Sequence, residues 1–297
     1  MKLGRTGLVL AVFSFWLASS TAAELVFGTL NLRNYLLMDR WTGEAYRFDF
    51  PKPEDELERL REVIEDHPVH VLLLQEMGSL AFLEQLQADL AARGRSFPEA
   101  VFARQGDSRR GLAVLSTLPL ESVILHTPQL PCGTHLFVRG VMEIRLRVSG
   151  TGIQLFNVHL KSRYSSDPSD PDAAGPRSRE WAALRQLLDR LADPDKEVGL
   201  TLLSGDFNTP LAQAVASSWA DPAWQWLPLA DRLGEDWTYF FAKADQRECI
   251  DGFFALGPVP GKLVSGGLFP LSPPPWKGSD HRLVLLRWCP PPPKNPN

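Results

Sequence analysis

Short apolar runs recur along this chain, and most are bordered by polar residues able to do chemistry. The runs cover residues 25–30, 69–74, 112–115, 153–158, 200–203, 250–254 and 282–288. They are four to seven residues long and mostly rich in Val, Ile, Leu and Phe, the pattern of buried strands. Between them lie stripes at helical spacing. Leu57, Leu60 and Ile64 follow Pro53, a residue suited to a helix start. Leu80, Leu83, Leu86 and Leu90 follow Ser79, a candidate cap, and Trp181, Leu184, Leu188 and Leu191 form a third stripe. Strands that are apolar on both faces need cover, and helices supply it. The pattern predicts an α/β or α+β fold with sheets layered between helices.

The chain has 297 residues and is 44% hydrophobic, enough for a substantial core. Residues 1–23 read as a separate segment. Lys2 and Arg5 precede an apolar stretch over 8–17, and small residues follow through Ala23. That is the form of a secretory signal peptide, and the stretch is short for a membrane span. Export to a periplasm or out of the cell is expected. Residues 24–289 read as one domain, since no linker divides them. Residues 290–297 form a Pro-rich tail expected to be disordered. The turn residues over 165–177 predict one long loop, a common place for function. The formal charge of −4 becomes −6 without Lys2 and Arg5, so long-range attraction for nucleic acid is absent. Cys132, Cys249 and Cys289 allow one disulfide after export, with the pair undetermined.

What borders the runs carries the chemistry. Asn31 follows the first, Gln75 and Glu76 the second, and His159 the fourth. The fifth leads through Ser204 and Gly205 to Asp206, Phe207 and Asn208; Asp251 sits inside the sixth, and Asp280 and His281 precede the seventh. A single polar residue at a strand end is an ordinary turn former. Six such sites, supplying four carboxylates, two imidazoles and three carboxamides, are a coherent set if one edge gathers them. Oxygen donors suit a hard cation such as Mg²⁺ or Mn²⁺, with Ca²⁺ a further candidate. Two His without paired Cys fit a zinc site less well.

The set resembles the endonuclease/exonuclease/phosphatase superfamily. The matching stretches are Thr-Leu-Asn-Leu-Arg-Asn at 29–34, Leu-Gln-Glu-Met at 74–77, Arg-Gly-Leu-Ala-Val-Leu-Ser at 110–116, Asn-Val-His-Leu-Lys-Ser at 157–162, Ser-Gly-Asp-Phe-Asn at 204–208, Ile-Asp at 250–251 and Gly-Ser-Asp-His at 278–281. They occur in the family's order and span nearly all of the chain after residue 24. The resemblance implies a four-layer sandwich with two central, mostly antiparallel sheets flanked by helices. It implies Glu76 as chief metal ligand, with Asn31 beside it and Asp280 completing the ion's surroundings. It implies His281 as the catalytic histidine and Asp251 as the carboxylate that orients it. Asp206 matches the residue that activates water or protonates the leaving oxygen, and both roles stay open. Asn208 is expected to hold a phosphate oxygen, and His159 to contact the phosphate or the leaving group. Arg110 and Lys161 are weaker candidates for contact with a polyanion.

The implied activity is metal-dependent hydrolysis of phosphodiesters, with DNA or RNA as the leading substrate. A sphingomyelinase-like phospholipase C acting at a phospholipid headgroup, or a small-molecule phosphatase, is the alternative. A membrane-acting enzyme calls for a long exposed apolar hairpin, and residues 263–271 are the nearest candidate. A non-catalytic binding protein fits least, having no use for the full catalytic set. No obligate protein partner is evident and a monomer is expected. Trp237, Tyr239, Phe240, Phe241 and Trp276 lie near the candidate site in sequence and read as packing residues or stacking surfaces.

Overall fold

All seven apolar runs become strands, and they occupy the middle of two stacked sheets. A computed structural model of the chain describes residues 24–106, 108–192, 198–217, 223–269 and 278–291. The expected signal peptide, the Pro-rich loop at 273–275, Trp276 and most of the tail lie outside the described residues. The first half contains β1 (Leu25–Tyr35), β2 (Met38–Trp41), β3 (Tyr46–Phe50), α1 (Glu54–Glu65), β4 (Val71–Met77), α2 (Leu80–Ala92), β5 (Glu99–Ala103), β6 (Gly111–Ser116), β7 (Leu120–His126) and β8 (Val141–Val148). The second half contains β9 (Thr151–His159), α3 (Ala174–Leu191), β10 (Val198–Asp206), α4 (Leu211–Ser217), β11 (Trp224–Leu227), β12 (Tyr239–Phe241), β13 (Gln246–Glu248), β14 (Asp251–Leu256), β15 (Lys262–Phe269) and β16 (Leu283–Cys289).

One sheet runs β15-β16-β1-β4-β6-β5 and the other β11-β14-β10-β9-β8-β7. Each holds one parallel pair, β1 with β4 and β9 with β10, among antiparallel neighbours. Three apolar layers hold the sandwich together. Leu60, Ile64, Leu83 and Leu86 of α1 and α2 pack on one sheet with Leu72 and Leu74. Phe27, Leu73, Val114, Ile144, Leu155, Leu202 and Trp288 fill the space between the sheets. Trp181, Leu184 and Leu188 of α3 cover the second sheet against Phe156, Leu203 and Phe254. These are the stripes that the periodicity singled out. Ser79 caps α2 as expected, its Oγ accepting from Phe82 N at 3.3 Å. Among the described residues no helix is long and apolar enough to cross a membrane.

A buried polar bridge joins the two sheets. Gln75 Nε2 donates to Asn157 Oδ1 at 2.8 Å and to Thr29 Oγ1 at 3.0 Å, while Asn157 Nδ2 donates to the carbonyls of Leu74 and Ala113 at 3.2 Å. Buried amides are costly unless paired, so this bridge penalises any sliding of one sheet over the other. It lies one residue from Glu76 and two from His159. Gly205 is required nearby for a different reason. Its φ is +140°, and a Cβ there would sit 2.0 Å from the Val158 carbonyl oxygen, inside the contact between β9 and β10.

Three readings change. Helix α3 begins at Ala174, so the loop expected over 165–177 is shorter. Cys132, Cys249 and Cys289 are free thiols rather than a pair plus one. Residues 263–269, the candidate membrane hairpin, belong to the edge strand β15, and 270–271 lie outside the described residues.

A second buried polar cluster sets an acid limit on stability. Glu143 in β8 accepts from Arg145 Nε at 2.6 Å and Gln154 Nε2 at 2.7 Å, and contacts His126 Nε2 at 2.7 Å. Burial pushes its pKa up, but the His126, Gln154 and Arg145 hydrogen bonds outweigh that and hold it at about 2. A depressed carboxylate stabilises the fold above its ordinary value of 4.5, and the contribution fades as pH falls toward about 2. Glu143→Gln is expected to cost on the order of 2 kcal/mol at pH 6 and less at pH 3. Urea unfolding at the two pH values checks this; an equal loss at both would refute it.

Candidate active site

Strand direction brings the polar residues together. In the first sheet β1 and β4 run parallel, with Asn31 paired to Gln75, so Asn31 and Glu76 leave at the same edge. In the second sheet β9 and β10 run parallel, with His159 opposite Asp206. Strand β14 is antiparallel to β10, so its first residue, Asp251, pairs with the last, Asp206. Strand β16 is antiparallel to β1, so Asp280 and His281, just before it, reach the same edge. The two edges meet, and the two sheets share one site.

His281 and Asp251 form its most ordered part. His281 Nδ1 lies 2.8 Å from Asp251 Oδ2. Thr238 Oγ1 donates to the same oxygen at 2.8 Å and accepts the backbone N–H groups of Ile250 and Asp251 at 2.9 Å. Ser279 Oγ accepts from His281 N and donates to the Asn31 carbonyl at 2.7 Å, tying this segment to β1. Burial works against a charged His281, but the charge and hydrogen bond of Asp251, with Asp206 and Asp280 nearby, outweigh it and raise its pKa to about 10. The imidazole is therefore held as a cation at neutral pH, with Nδ1–H given to Asp251.

Its Nε2 faces two carboxylates, 3.9 Å from Asp206 Oδ2 and 3.9 Å from Asp280 Oδ1. Asp206 is buried; Asn31 Nδ2 donates to its Oδ2 at 2.9 Å and Asn208 N to its Oδ1 at 2.8 Å. Burial, with the Asp251 charge adding and His281 opposing, raises its pKa to about 7. A group poised there can take or give a proton near neutrality. His159 Nε2 lies 3.4 Å from Asp206 Oδ2 and 3.8 Å from Glu76 Oε1. Burial, reinforced by Arg139, His281 and Arg110, drives its pKa well below the ordinary histidine value, so it is neutral.

Glu76 lies on the other side of Asn31, whose Nδ2 is 3.5 Å from Glu76 Oε1. Glu76 has φ +62°, a left-handed conformation uncommon for a residue with a Cβ, and strain of this kind clusters at functional sites. Asn34 N donates to Glu76 Oε2 at 2.7 Å, and Arg110 Nε is 3.3 Å from the same oxygen. Arg110 thus lies against the carboxylate expected to hold the metal. Asp280 is partly exposed, and its Oδ2 lies 3.5 Å from Arg33 Nε. Asn208, with φ +51°, uses one amide N–H on the Leu160 carbonyl at 2.9 Å, leaving the other for a ligand. Lys161 departs from expectation. Its Nζ donates to the backbone carbonyls of Ser162 and Tyr164, so it braces a loop rather than presenting its charge to a substrate.

Two contributors escaped the sequence reading. Thr238 lay between the noted aromatics Trp237 and Tyr239, and a threonine there carries no signal of its own. Arg139 is buried beside the cluster, where Glu76, Glu180 and Asp206 attract it, and its Nη1 donates to the Leu160 carbonyl at 3.0 Å. In sequence it reads as a surface arginine before a strand.

The fit to a cation is chemical. Asp206, Asp251 and His281 bring one donor atom each within 4.8 Å of one another. Asp251 Oδ2 is already committed to Thr238 and His281, so that trio is better suited to moving a proton. Glu76 and Asp280, linked through Asn31 and Ser279, are the partly exposed oxygen donors that suit a hard divalent ion.

A model of the endonuclease/exonuclease/phosphatase family matches residues 28–281. The chain belongs to that family. It is accordingly a hydrolase of phosphate esters. Family members among solved structures share its fold at low identity. A humanised D. rerio TDP2 superposes with a TM-score of 0.62 at 14% identity, covering 89% of this chain and 98% of that one. Sphingomyelinase C from Streptomyces griseocarneus gives 0.58 at 20%, covering 90% and 99%. An endonuclease/exonuclease/phosphatase family protein from Leptotrichia buccalis gives 0.58 at 14%, covering 88% and 98%. A comparison with curated proteins returned no match.

Proposed function

We propose that this family member is an exported, divalent-metal-dependent phosphodiesterase acting on nucleic acid. The observation that carries the reading is the His281–Asp251 pair, its carboxylate braced by Thr238 and its Nε2 facing Asp206. A phosphodiester resists attack because its charge repels the nucleophile and its leaving alkoxide is poor, so a catalyst needs positive charge and an oriented water. Nε2–H of His281 supplies charge to a phosphoryl oxygen, and the free amide N–H of Asn208 holds another. Asp206 takes the proton of the attacking water. His159, neutral and 3.4 Å from Asp206, orients that water or the leaving oxygen. Glu76, with Asn31 and Asp280, would hold Mg²⁺ or Mn²⁺, which supplies Lewis-acid stabilisation of the phosphoryl group when bound.

A phospholipid headgroup is the second reading, and one surface favours it. Hairpin β2–β3 exposes Trp41, Tyr46 and Phe48 by 63%, 57% and 75%. Arg40 and Arg109 root it beside the site, donating to the carbonyls of Asn34, Leu36 and Leu37. Such rings suit a membrane interface.

The test is hydrolysis by residues 24–297 of plasmid DNA, RNA and sphingomyelin vesicles, each with Mg²⁺, Mn²⁺, Ca²⁺ or EDTA. Metal-dependent, EDTA-sensitive cleavage of DNA or RNA is expected. Cleavage of sphingomyelin alone would replace the first reading with the second, and activity unchanged by EDTA would remove the metal from both.

A further inference from the structure

Beside the catalytic edge lies a cleft of ≈ 550 Å³, walled mostly by residues outside the expected site motifs. One wall is the loop after β9, carrying Arg163 and Tyr164. The other is hairpin β12–β13, carrying Tyr239, Phe241 and Glu248, with Lys243 at its turn. The walls are tied together: Arg163 donates to Glu248 at 2.8 Å and 3.0 Å. The cleft opens directly onto the chemistry. Asn208 lines it, and the Tyr239 ring lies 4.8 Å from the His281 ring, centroid to centroid. Whatever fills it lies beside the side chains of Asn208 and His281.

We propose that this cleft seats one nucleoside flanking the scissile phosphate, its base lying against Tyr164 and Phe241. The inference rests on the phosphodiesterase reading above. The volume is that of a small-molecule site and accommodates a base with its sugar. Tyr164 and Phe241 are 80% and 41% exposed, so rings stand open at the cleft for stacking. Arg163 and Lys243 are balanced by Asp172 and Glu248 in the lining. A neutral hydrogen-bonding group suits that balance. With its charges paired, the wall offers no net negative charge to hold a quaternary ammonium, and its hydrogen-bonding side chains suit a base better than an acyl chain.

The experiment compares 4-nitrophenyl esters of thymidine 5′-phosphate and thymidine 3′-phosphate with ethyl 4-nitrophenyl phosphate, all read by 4-nitrophenolate release. Wild-type protein is expected to show a lower KM for at least one thymidine ester. Phe241→Ala and Tyr164→Ala should each raise that KM about tenfold and leave kcat, and both constants for the ethyl ester, unchanged. A second readout needs no turnover: calorimetric binding of thymidine 5′-monophosphate, phosphocholine and inorganic phosphate to the full chain. Thymidine monophosphate should bind most tightly, and Phe241→Ala should remove the advantage over phosphate. Equal binding of all three, preference for phosphocholine, or equal effects of the variants on both ester classes would overturn the cleft's assignment. Release from none of the esters would instead count against the phosphodiesterase reading, while the binding measurement still decides the cleft.

Discussion

Replacing His281 by alanine is expected to lower kcat by about 10³-fold while moving KM by less than a few fold. The imidazole reaches the site through Nε2, and its other nitrogen is committed to Asp251 at 2.8 Å. Its pKa of about 10 keeps it cationic across the neutral range, so its charge is present when the phosphoryl group becomes more negative. An interaction that strengthens in the transition state appears in kcat more than in KM. The substitution also strands Asp251, a buried carboxylate whose Oδ1 already lacks a partner, so some stability is lost with it. Thermal unfolding of the variant separates the two effects. Thr238→Val is the finer control: it removes the hydrogen bond to Asp251 Oδ2, and the acceptor of the Ile250 and Asp251 N–H groups, while the imidazole stays in place, so a loss of about tenfold is expected. Turnover within tenfold of wild type for His281→Ala, in folded protein, would end the assignment of this histidine.

Glu76→Ala is expected to lower kcat by at least 10²-fold at fixed metal concentration and to abolish stabilisation by metal. Among the oxygen donors, Glu76 is the one set at the edge by a left-handed φ of +62° and oriented by Asn34 N. A ligand that binds only the folded state raises its stability in proportion to ln(1 + [L]/Kd), so Mn²⁺ should raise Tm of the wild type. The variant should show no such rise. It should also leave Arg110, which wild type holds 3.3 Å from the Glu76 carboxylate, held by Asn34 Oδ1 alone. A variant that kept the metal-dependent rise in Tm would place the ion elsewhere, with the Asp206 group next to be tested.

The sequence reading recovered the interior better than the edges, for a reason visible in the strands. The central strands β16, β1, β4 and β6 of one sheet, and β14, β10 and β9 of the other, were legible because both faces are buried. The unrecognised β5 and β7 are edge strands whose residues are mostly half-buried. Strand β8 was hidden because Glu143, Arg145 and Arg147 interrupt its apolar positions. Hairpin β2–β3 left no apolar run because Trp41, Tyr46 and Phe48 alternate or neighbour charged residues such as Arg40 and Arg47. Its exposed aromatic face exists only once the strands pair, Trp41 against Tyr46. Lys161 looked available because a lysine after a histidine motif reads as solvent-facing charge. Only the fold supplies the two carbonyls that occupy it.

Sequence alone singled out the polar residues that the fold gathers at one edge, and predicted that sheets covered by helices would hold them. Both follow from local facts: the length and composition of each run, and the ordered polar residue at its border. It did not determine how those residues meet. Asn31 lies 175 positions from Asp206, yet they share a 2.9 Å hydrogen bond. That contact exists because parallel strands end at one edge and antiparallel ones begin there, while the Gln75–Asn157 bridge fixes how the two sheets sit. The proton affinities are likewise tertiary. Asp206 and His281 have ordinary values as isolated side chains; burial and the Asp251 charge raise the acid to about 7, while the charge and hydrogen bond of Asp251 overcome burial and raise the imidazole to about 10.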